Sequence, residues 1–183
     1  ETSENELQTV FQNFDSENIT DLVLDLRYNG GGRVSVAQYL ASIIAGDSRA
    51  DELLYNYEFN DKYTDENYSL FLLTVSGDLS LSRVIVLTRG GTASASEIVI
   101  AGLQPHMEVI TMGSTTSGKP YVQRGRDRGG SRLNAIEAEG FNAAGVSVFG
   151  GIPASCYATD DRTRGFGLDT NTGALEGRKL WFR

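Results

Sequence analysis

Leu7, Val10, Phe11 and Phe14 recur at intervals of three and four residues in the opening stretch SENELQTVFQNF, which places them on one face of an amphipathic helix. Ser3 and Glu6 stand just ahead of that face with the spacing of a capping box. The pattern then changes. ITDLVLDLR (19–27) reads as a buried strand, and YNGGGR leads from it into a second helical stretch, VSVAQYLASIIAG. The same order recurs downstream: SRVIVLT (82–88) is a β-branched apolar run expected to form a strand buried on both faces, and RGGTAS is a tight glycine turn. ASEIVIAGLQ follows as a helix with Glu97 in its first turn, where a carboxylate complements the helix dipole. MEVITM adds another strand. Strand and helix thus alternate through residues 5–112 and are followed by shorter strand-like pieces, which predicts an α/β domain whose first helix packs beside Leu22 and Leu24.

Residues 47–80 break the alternation. Tyr55, Tyr57, Phe59, Tyr63, Tyr68 and Phe71 stand there among acids and asparagines, and two readings fit: a hairpin lining a peptide groove, or a partly packed excursion.

Composition narrows the class. A chain of 183 residues with 40% apolar content suits one domain with a substantial core, and the sequence running from Glu1 to KLWFR is expected to be a piece of a longer protein. A net charge of −8 argues against nucleic acid and anionic membrane as partners. No run of 18 apolar residues and no signal-peptide pattern occurs. Cys156 is the only cysteine, so an internal disulfide or cysteine-based metal site is impossible, and a buried thiol is expected. Asp160, Asp161 and Asp169 lack the ligand spacing of a calcium loop and read as solvated. The arginines of QRGRDRGGSR (123–132) read first as a solvated loop at a mobile hairpin tip, and second as a contact for a substrate carboxylate.

The chemistry starts from lysine scarcity. Of three lysines, Lys62 lies in the polar run FNDKYTDEN and Lys179 near the chain end; Lys119 lies in GSTTSGKPYVQ, 25 residues after Ser94, with no carboxylate near it in sequence. A lysine amine is a base only when neutral, and a dry setting favours the neutral form. Ser94 falls at a strand-turn-helix junction, where the unpaired amide of Ala95 could bind a developing oxyanion. Thr92, Ser94 or Ser96 could equally serve only as a helix cap. The triple glycine after the first strand permits close backbone approach, for an oxyanion amide, a phosphate or simply a flexible connection.

Other motifs on the same residues fare worse. GSTTSGK (113–119) matches seven positions of the phosphate loop GxxxxGK[ST], but Pro120 has no hydroxyl for magnesium and the following YVQRGRDRGG is extended rather than helical. An SxxK arrangement fails because position 116 is Thr116. His106, the only histidine, lies in an expected turn and reads as a solvated loop residue, with a serine-histidine pair as a minor alternative.

Taken together, DLRYNGGG (25–32), GTASASEIVIAGL (91–103) and TTSGKPYVQ (115–123) resemble the C-terminal processing peptidases, also called tail-specific proteases, in order and in serine-to-lysine interval. FNAAGVSVFGGIPASC is similar to the region that follows the catalytic lysine in that family. Gly30 and Ser117 depart from the pattern, which often has proline and an aromatic there, and nothing in the chain is long enough for the family's PDZ-type domain. The resemblance implies a ClpP/crotonase-like sheet with packed helices, making 1–183 a single catalytic domain. It implies Ser94 as nucleophile, Lys119 as general base, Gln123 as the group orienting the lysine, and an oxyanion hole from Ala95 with Gly31 or Gly32. It further implies a polypeptide substrate, no metal or organic cofactor, and a periplasmic or envelope location with any membrane attachment through an upstream anchor. A non-catalytic peptide-binding module and a crotonase-like acyl-transfer enzyme are the alternatives on this fold.

Overall fold

The structure, a computed structural model, describes residues 2–159. Asp160, Asp161, Asp169 and Lys179 lie outside them. Two four-stranded sheets make the framework. The first is parallel, in the order β1 (Val23–Asp25), β4 (Arg83–Thr88), β5 (Glu108–Gly113), β8 (Cys156–Tyr157). The second is antiparallel, in the order β3 (Tyr68–Phe71), β2 (Leu53–Phe59), β7 (Ser131–Asn142), β6 (Tyr121–Arg128). The helices are α1 (Thr2–Ser16), α2 (Val34–Ala45) and α3 (Ala95–Leu103).

All nine residues of α3 are buried, because the helix meets strands of both sheets. Gly102 makes that approach possible: a Cβ there would stand 2.5 Å from Leu54 Cδ1. On the β7 side, Asn142 Nδ2 donates to the carbonyl of Ala101 at 3.0 Å, pinning the helix axis. Leu7 and Phe11 of α1 are buried in the same core as Leu22 and Leu24, with Phe14 packed against it, as the helical spacing predicts.

Several expectations need correction. α1 begins at Thr2, so Ser3 lies inside the first turn instead of capping it. β4 is not equally buried on both faces: Val84, Val86 and Thr88 are buried, whereas Ile85 and Leu87 are half-covered. β1 is an edge strand with Val23 43% exposed between buried Leu22 and Leu24. The pieces after residue 112 include the longest strand described, β7, with 12 residues. Cys156 is exposed, because it lies in the two-residue strand at the opposite sheet edge. The arginine cluster lies at the expected hairpin tip with Arg126, Arg128 and Arg132 exposed, but as paired strands instead of a loop, with only Gly129 and Gly130 at positive φ in its turn. Glu137 of β7 is buried, and a buried carboxylate needs countercharge. Arg126 Nη2 supplies it at 2.7 Å and Arg124 Nε at 3.4 Å, and Arg124 also pairs with Glu66.

The tyrosine-rich interval forms a hairpin, β2 with β3. Tyr55 and Tyr57 are buried in the core, and Tyr57 lies 4.8 Å from the ring of Tyr68.

Candidate active site

Ser94 sits where the chain leaves β4 and enters α3, with φ +57° and ψ −122°. A non-glycine residue in that region carries strain on the order of 1–3 kcal/mol, and persists only where the surroundings enforce it. Thr92 does much of the enforcing. Its hydroxyl donates to Leu26 O at the end of β1 at 2.7 Å and accepts from the amide of Arg89 at 3.1 Å. Ser96 Oγ donates to Asn29 O at 3.0 Å. Of the three hydroxyls that could have served only as caps, two therefore tie the turn to the loop after β1. Ser94 is half-buried and completes a capping box with Glu97, its side chain facing the Glu97 amide while the Glu97 carboxylate accepts from the Ser94 amide.

That loop carries the triple glycine. Gly31 has φ +98°, and a Cβ there would lie 2.7 Å from Ala93 O, 2.8 Å from Ser94 Cβ and 2.9 Å from Ala95 N. Only glycine permits this approach. The amide of Gly31 is occupied, donating to Asn29 Oδ1 at 3.0 Å. The amides of Gly32 and Ala95 have no acceptor among the described residues.

Lys119 follows Gly118, whose φ of +76° brings its backbone against Gly150 and Gly151. Thr116 locks the same place, exchanging bonds with Ile152: amide to carbonyl at 3.1 Å, and Ile152 amide to Thr116 Oγ1 at 2.8 Å. The Ser117 amide donates to Thr92 O at 2.9 Å, so the serine turn and the lysine loop are joined directly.

The main junction is Glu97, fully buried at the first turn of α3. Its Oε2 accepts from the amides of Ser94 at 2.8 Å and Lys119 at 2.9 Å, and its Oε1 accepts from Thr116 Oγ1 at 2.6 Å and the Gly118 amide at 2.7 Å. Sequence reasoning gave Glu97 only a helix-dipole role. Its position three residues after Ser94 is the S-x-x-E signature, which signals the bond to the Ser94 amide; nothing local signals the bonds to the lysine loop.

Ser94, Lys119 and Gln123 line one cavity of 280 Å³, together with Gly32 and the hairpin tyrosines Tyr55, Tyr57 and Tyr68. The expected dry setting for the lysine is not present: Lys119 is exposed, as is Gln123, which sits at the irregularity in β6 after Val122. Among the described residues no hydrogen bond joins Lys119 Nζ to Ser94 Oγ or Gln123 to Lys119. The physical reason is the anchoring pattern, since Gly118 and Lys119 are held to Glu97 through their backbone amides and the lysine side chain is left free to turn.

His106 is not the solvated loop residue expected. Its side chain is 7% exposed, with Nδ1 at 2.8 Å from Glu52 Oε2 and Nε2 at 2.9 Å from Leu53 O. It clamps the turn after α3 to the start of β2, at the opposite end of the helix from Ser94, which removes the serine-histidine alternative. Among the described residues no group of three or more His, Cys, Asp or Glu could hold a metal ion, and no helix is long and apolar enough to cross a membrane.

Comparison with known proteins gives this geometry a context. The "Probable CtpA-like serine protease" of Staphylococcus haemolyticus is 26% identical over 146 residues, covering 79% of this chain and 28% of that protein. The "C-terminal processing peptidase, chloroplastic" of Tetradesmus obliquus is 28% identical over 144 residues, covering 77% of this chain and 29% of that protein. The chain therefore spans less than a third of the length of these curated relatives. A crystal structure of an S41 protease candidate from Bacteroides fragilis superposes with a TM-score of 0.78 at 29% identity, covering 86% of this chain and 42% of that one. The sequence profile described as Peptidase family S41 matches residues 1–148, the stretch that holds the glycine loop, the serine turn and the lysine loop, and the chain belongs to that family.

Proposed function

We propose that this chain is the catalytic core of a serine peptidase that hydrolyses amide bonds through an acyl-enzyme. The observation that carries the reading is the convergence of Ser94, Lys119 and Gln123 on one cavity beside the unpaired amides of Ala95 and Gly32. Ser94 Oγ attacks the scissile carbonyl while neutral Lys119 Nζ takes its proton. The Ala95 and Gly32 amides receive the oxyanion, each donor contributing about 2.7–4 kcal/mol to the transition state. Gly31 has the supporting part, since its amide is already given to Asn29. Lys119 returns the proton to the leaving amine, and water then releases the acyl group. The lysine closes on Ser94 when substrate covers the cavity, as catalytic hydrogen bonds loose in a free enzyme tighten in the complex. Gln123 Oε1 accepts from the amine and fixes its direction.

The substrate is an unfolded or C-terminal polypeptide segment of envelope proteins and the location is periplasmic or envelope; the C-terminal processing names of the relatives support the C-terminal part of this reading. No metal or organic cofactor takes part in these steps.

The test is cleavage of casein at pH 8 by this chain beside Ser94→Ala and Lys119→Ala, with the fold checked by circular dichroism. Loss in both variants with the fold retained supports the dyad. Cleavage surviving Lys119→Ala overturns the lysine's role, and absence of cleavage by the unaltered chain leaves two readings, a fragment lacking essential segments or a peptide-binding module.

A further inference from the structure

Tyr55 lines the cavity that holds Ser94, Lys119 and Gln123, yet it is only 1% exposed, which puts it at the floor while Lys119 stands exposed at the rim. Its hydroxyl is buried and has no hydrogen-bond partner among the described residues. Native proteins keep few polar atoms in that state, because each forfeits its hydration without a bond in return. Gly140 of β7 makes the room for the ring: a Cβ there would overlap Tyr55 Cε1 and stand 3.0 Å from the hydroxyl oxygen. The ring of Tyr57 packs edge-on against that of Tyr55 at 5.4 Å, and Tyr68 packs in turn against Tyr57, so the phenol is held in one place.

The surroundings of the hydroxyl say what it serves. The Gly140 amide donates to Pro120 O at 3.0 Å, and Pro120 follows Lys119 directly, so the phenol lies beside the segment that carries the lysine. Lys119 is anchored through its backbone, and its flexible four-carbon stem can carry the amine from the rim to the floor. The nearby carboxylates are committed elsewhere: Glu97 to the amides of Ser94, Gly118 and Lys119 and to Thr116 Oγ1, Glu139 of β7 to Ser147 Oγ at 2.7 Å. Burial, with the charges of Glu97 and Glu139 added, keeps the phenol above its ordinary value of about 10, so it stays protonated and neutral where a lysine base works.

A neutral lysine amine offers one lone pair and two N–H groups. The lone pair must face Ser94 Oγ to take its proton, and Gln123 Oε1 accepts one N–H. We infer that Tyr55 Oη accepts the other, making this phenol the floor contact that fixes the Lys119 amine when it turns in toward Ser94. A neutral acceptor directs the amine without the opposite charge that would hold it as an ammonium. After the proton moves from Ser94 Oγ to Lys119 Nζ the same bond persists with a charged donor, until the proton passes to the leaving amine. This inference rests on the peptidase reading above.

The experiment compares Tyr55→Phe, checked for fold by circular dichroism, with the unaltered chain on one casein-derived, internally quenched peptide between about pH 6 and 9.5. Expected is a kcat lowered by at least about tenfold with KM changed by less than about twofold. The midpoint of the rising limb of kcat/KM should also fall by at least about half a pH unit, because the lost acceptor favoured the ammonium over the amine. A phenol that touched substrate instead would raise KM and leave the midpoint in place, and a packing group would leave kcat unchanged; either result overturns the assignment. Absence of cleavage by the unaltered chain bears on the peptidase reading alone, and the contact is then decided by carbon NMR of the lysine-labelled Ser94→Ala chain with the same peptide in excess. The Lys119 Cε resonance, identified among the three lysines by its loss in Lys119→Ala, should titrate with a lower midpoint once Tyr55→Phe is added; equal midpoints overturn the contact.

Discussion

The backbone amides of Ser94 and Lys119 donate to the same oxygen, Glu97 Oε2, at 2.8 and 2.9 Å. The two residues are 25 apart in sequence, yet a single buried carboxylate sets the distance between the turn that carries one and the loop that carries the other. With Thr116 Oγ1 and the Gly118 amide on Oε1, Glu97 has an acceptor role that no neutral side chain of its size can fill. The Lys119 side chain makes no hydrogen bond to Ser94 or Gln123 among the described residues, so the framework is rigid where it positions the backbone and leaves the lysine amine free to turn.

Replacing Glu97 tests that division. Glu97→Gln places an amide NH₂ against donors, and Glu97→Ala leaves four donors without a partner. Hydrogen bonds to a charged group contribute about 1.5–3 kcal/mol each, and their losses overlap because they share one carboxylate. Expected is destabilisation of about 2–5 kcal/mol in Glu97→Ala and, under the peptidase reading, casein cleavage reduced by at least about a hundredfold in both variants. Urea unfolding and the cleavage assay check it; a Glu97→Gln chain as active as the original would remove Glu97 from any positioning role.

The glycine loop makes a sharper contrast. At Gly31 a methyl group meets Ala93 O and Ala95 N at 2.7 and 2.9 Å with φ at +98°, whereas at Gly30 a Cβ meets nothing within 4 Å. Gly31→Ala should destabilise by about 1–3 kcal/mol and displace the serine turn, while Gly30→Ala should change stability by less than about 0.5 kcal/mol. Thermal unfolding of the two variants side by side decides it.

Ser94 supplies the complementary case. Because φ +57°, ψ −122° strains any residue with a Cβ, Ser94→Gly should raise stability by up to about 1 kcal/mol. Ser94→Ala keeps the strain and removes the capping hydroxyl, so it should lower stability by about 0.5–2 kcal/mol. Under the peptidase reading both abolish cleavage. A melting temperature for Ser94→Gly below that of Ser94→Ala would contradict the strained geometry.

What the sequence made legible, and what it hid, divides along the range of the interactions. The helical face of Leu7, Phe11 and Phe14, the apolar strands and the glycine turn before α3 are local patterns, and each appears where its period places it. The pairing of the two strands that follow Lys119 depends on Glu137, buried on β7 and drawing Arg124 and Arg126 across the hairpin. Charged residues in a glycine-containing run read as solvated loop until that partner is known. His106 was hidden for the same reason: Glu52 and Leu53 are more than fifty residues away in sequence. At the candidate site, motif spacing singled out Ser94, Lys119 and Gly32, which line one cavity, while the second half of Glu97's bonding arises only once the lysine loop folds over α3.

The tyrosines of the β2–β3 hairpin give a pH prediction. Burial pushes the phenols of Tyr55 and Tyr57 well above their ordinary value of about 10, with the charge of Glu97 adding to the effect on Tyr55. A phenol raised in the folded state holds its proton there after the unfolded chain has lost it, so the unfolded state binds fewer protons above about pH 10 and stability falls as pH rises. Below that pH both states are protonated and the stabilisation is complete. Stability should therefore be flat in this respect up to about pH 9.5 and decline above it, and Tyr57→Phe should flatten the alkaline slope. For Tyr55→Phe a second effect is expected. The buried Tyr55 hydroxyl has no hydrogen-bond partner among the described residues, so removing it should leave stability at neutral pH unchanged or raised by up to about 1 kcal/mol, where loss of a satisfied hydroxyl would lower it. Urea unfolding of the three proteins between pH 7 and 11 tests both; an alkaline slope unchanged in either variant would show that the two rings do not titrate as their burial dictates.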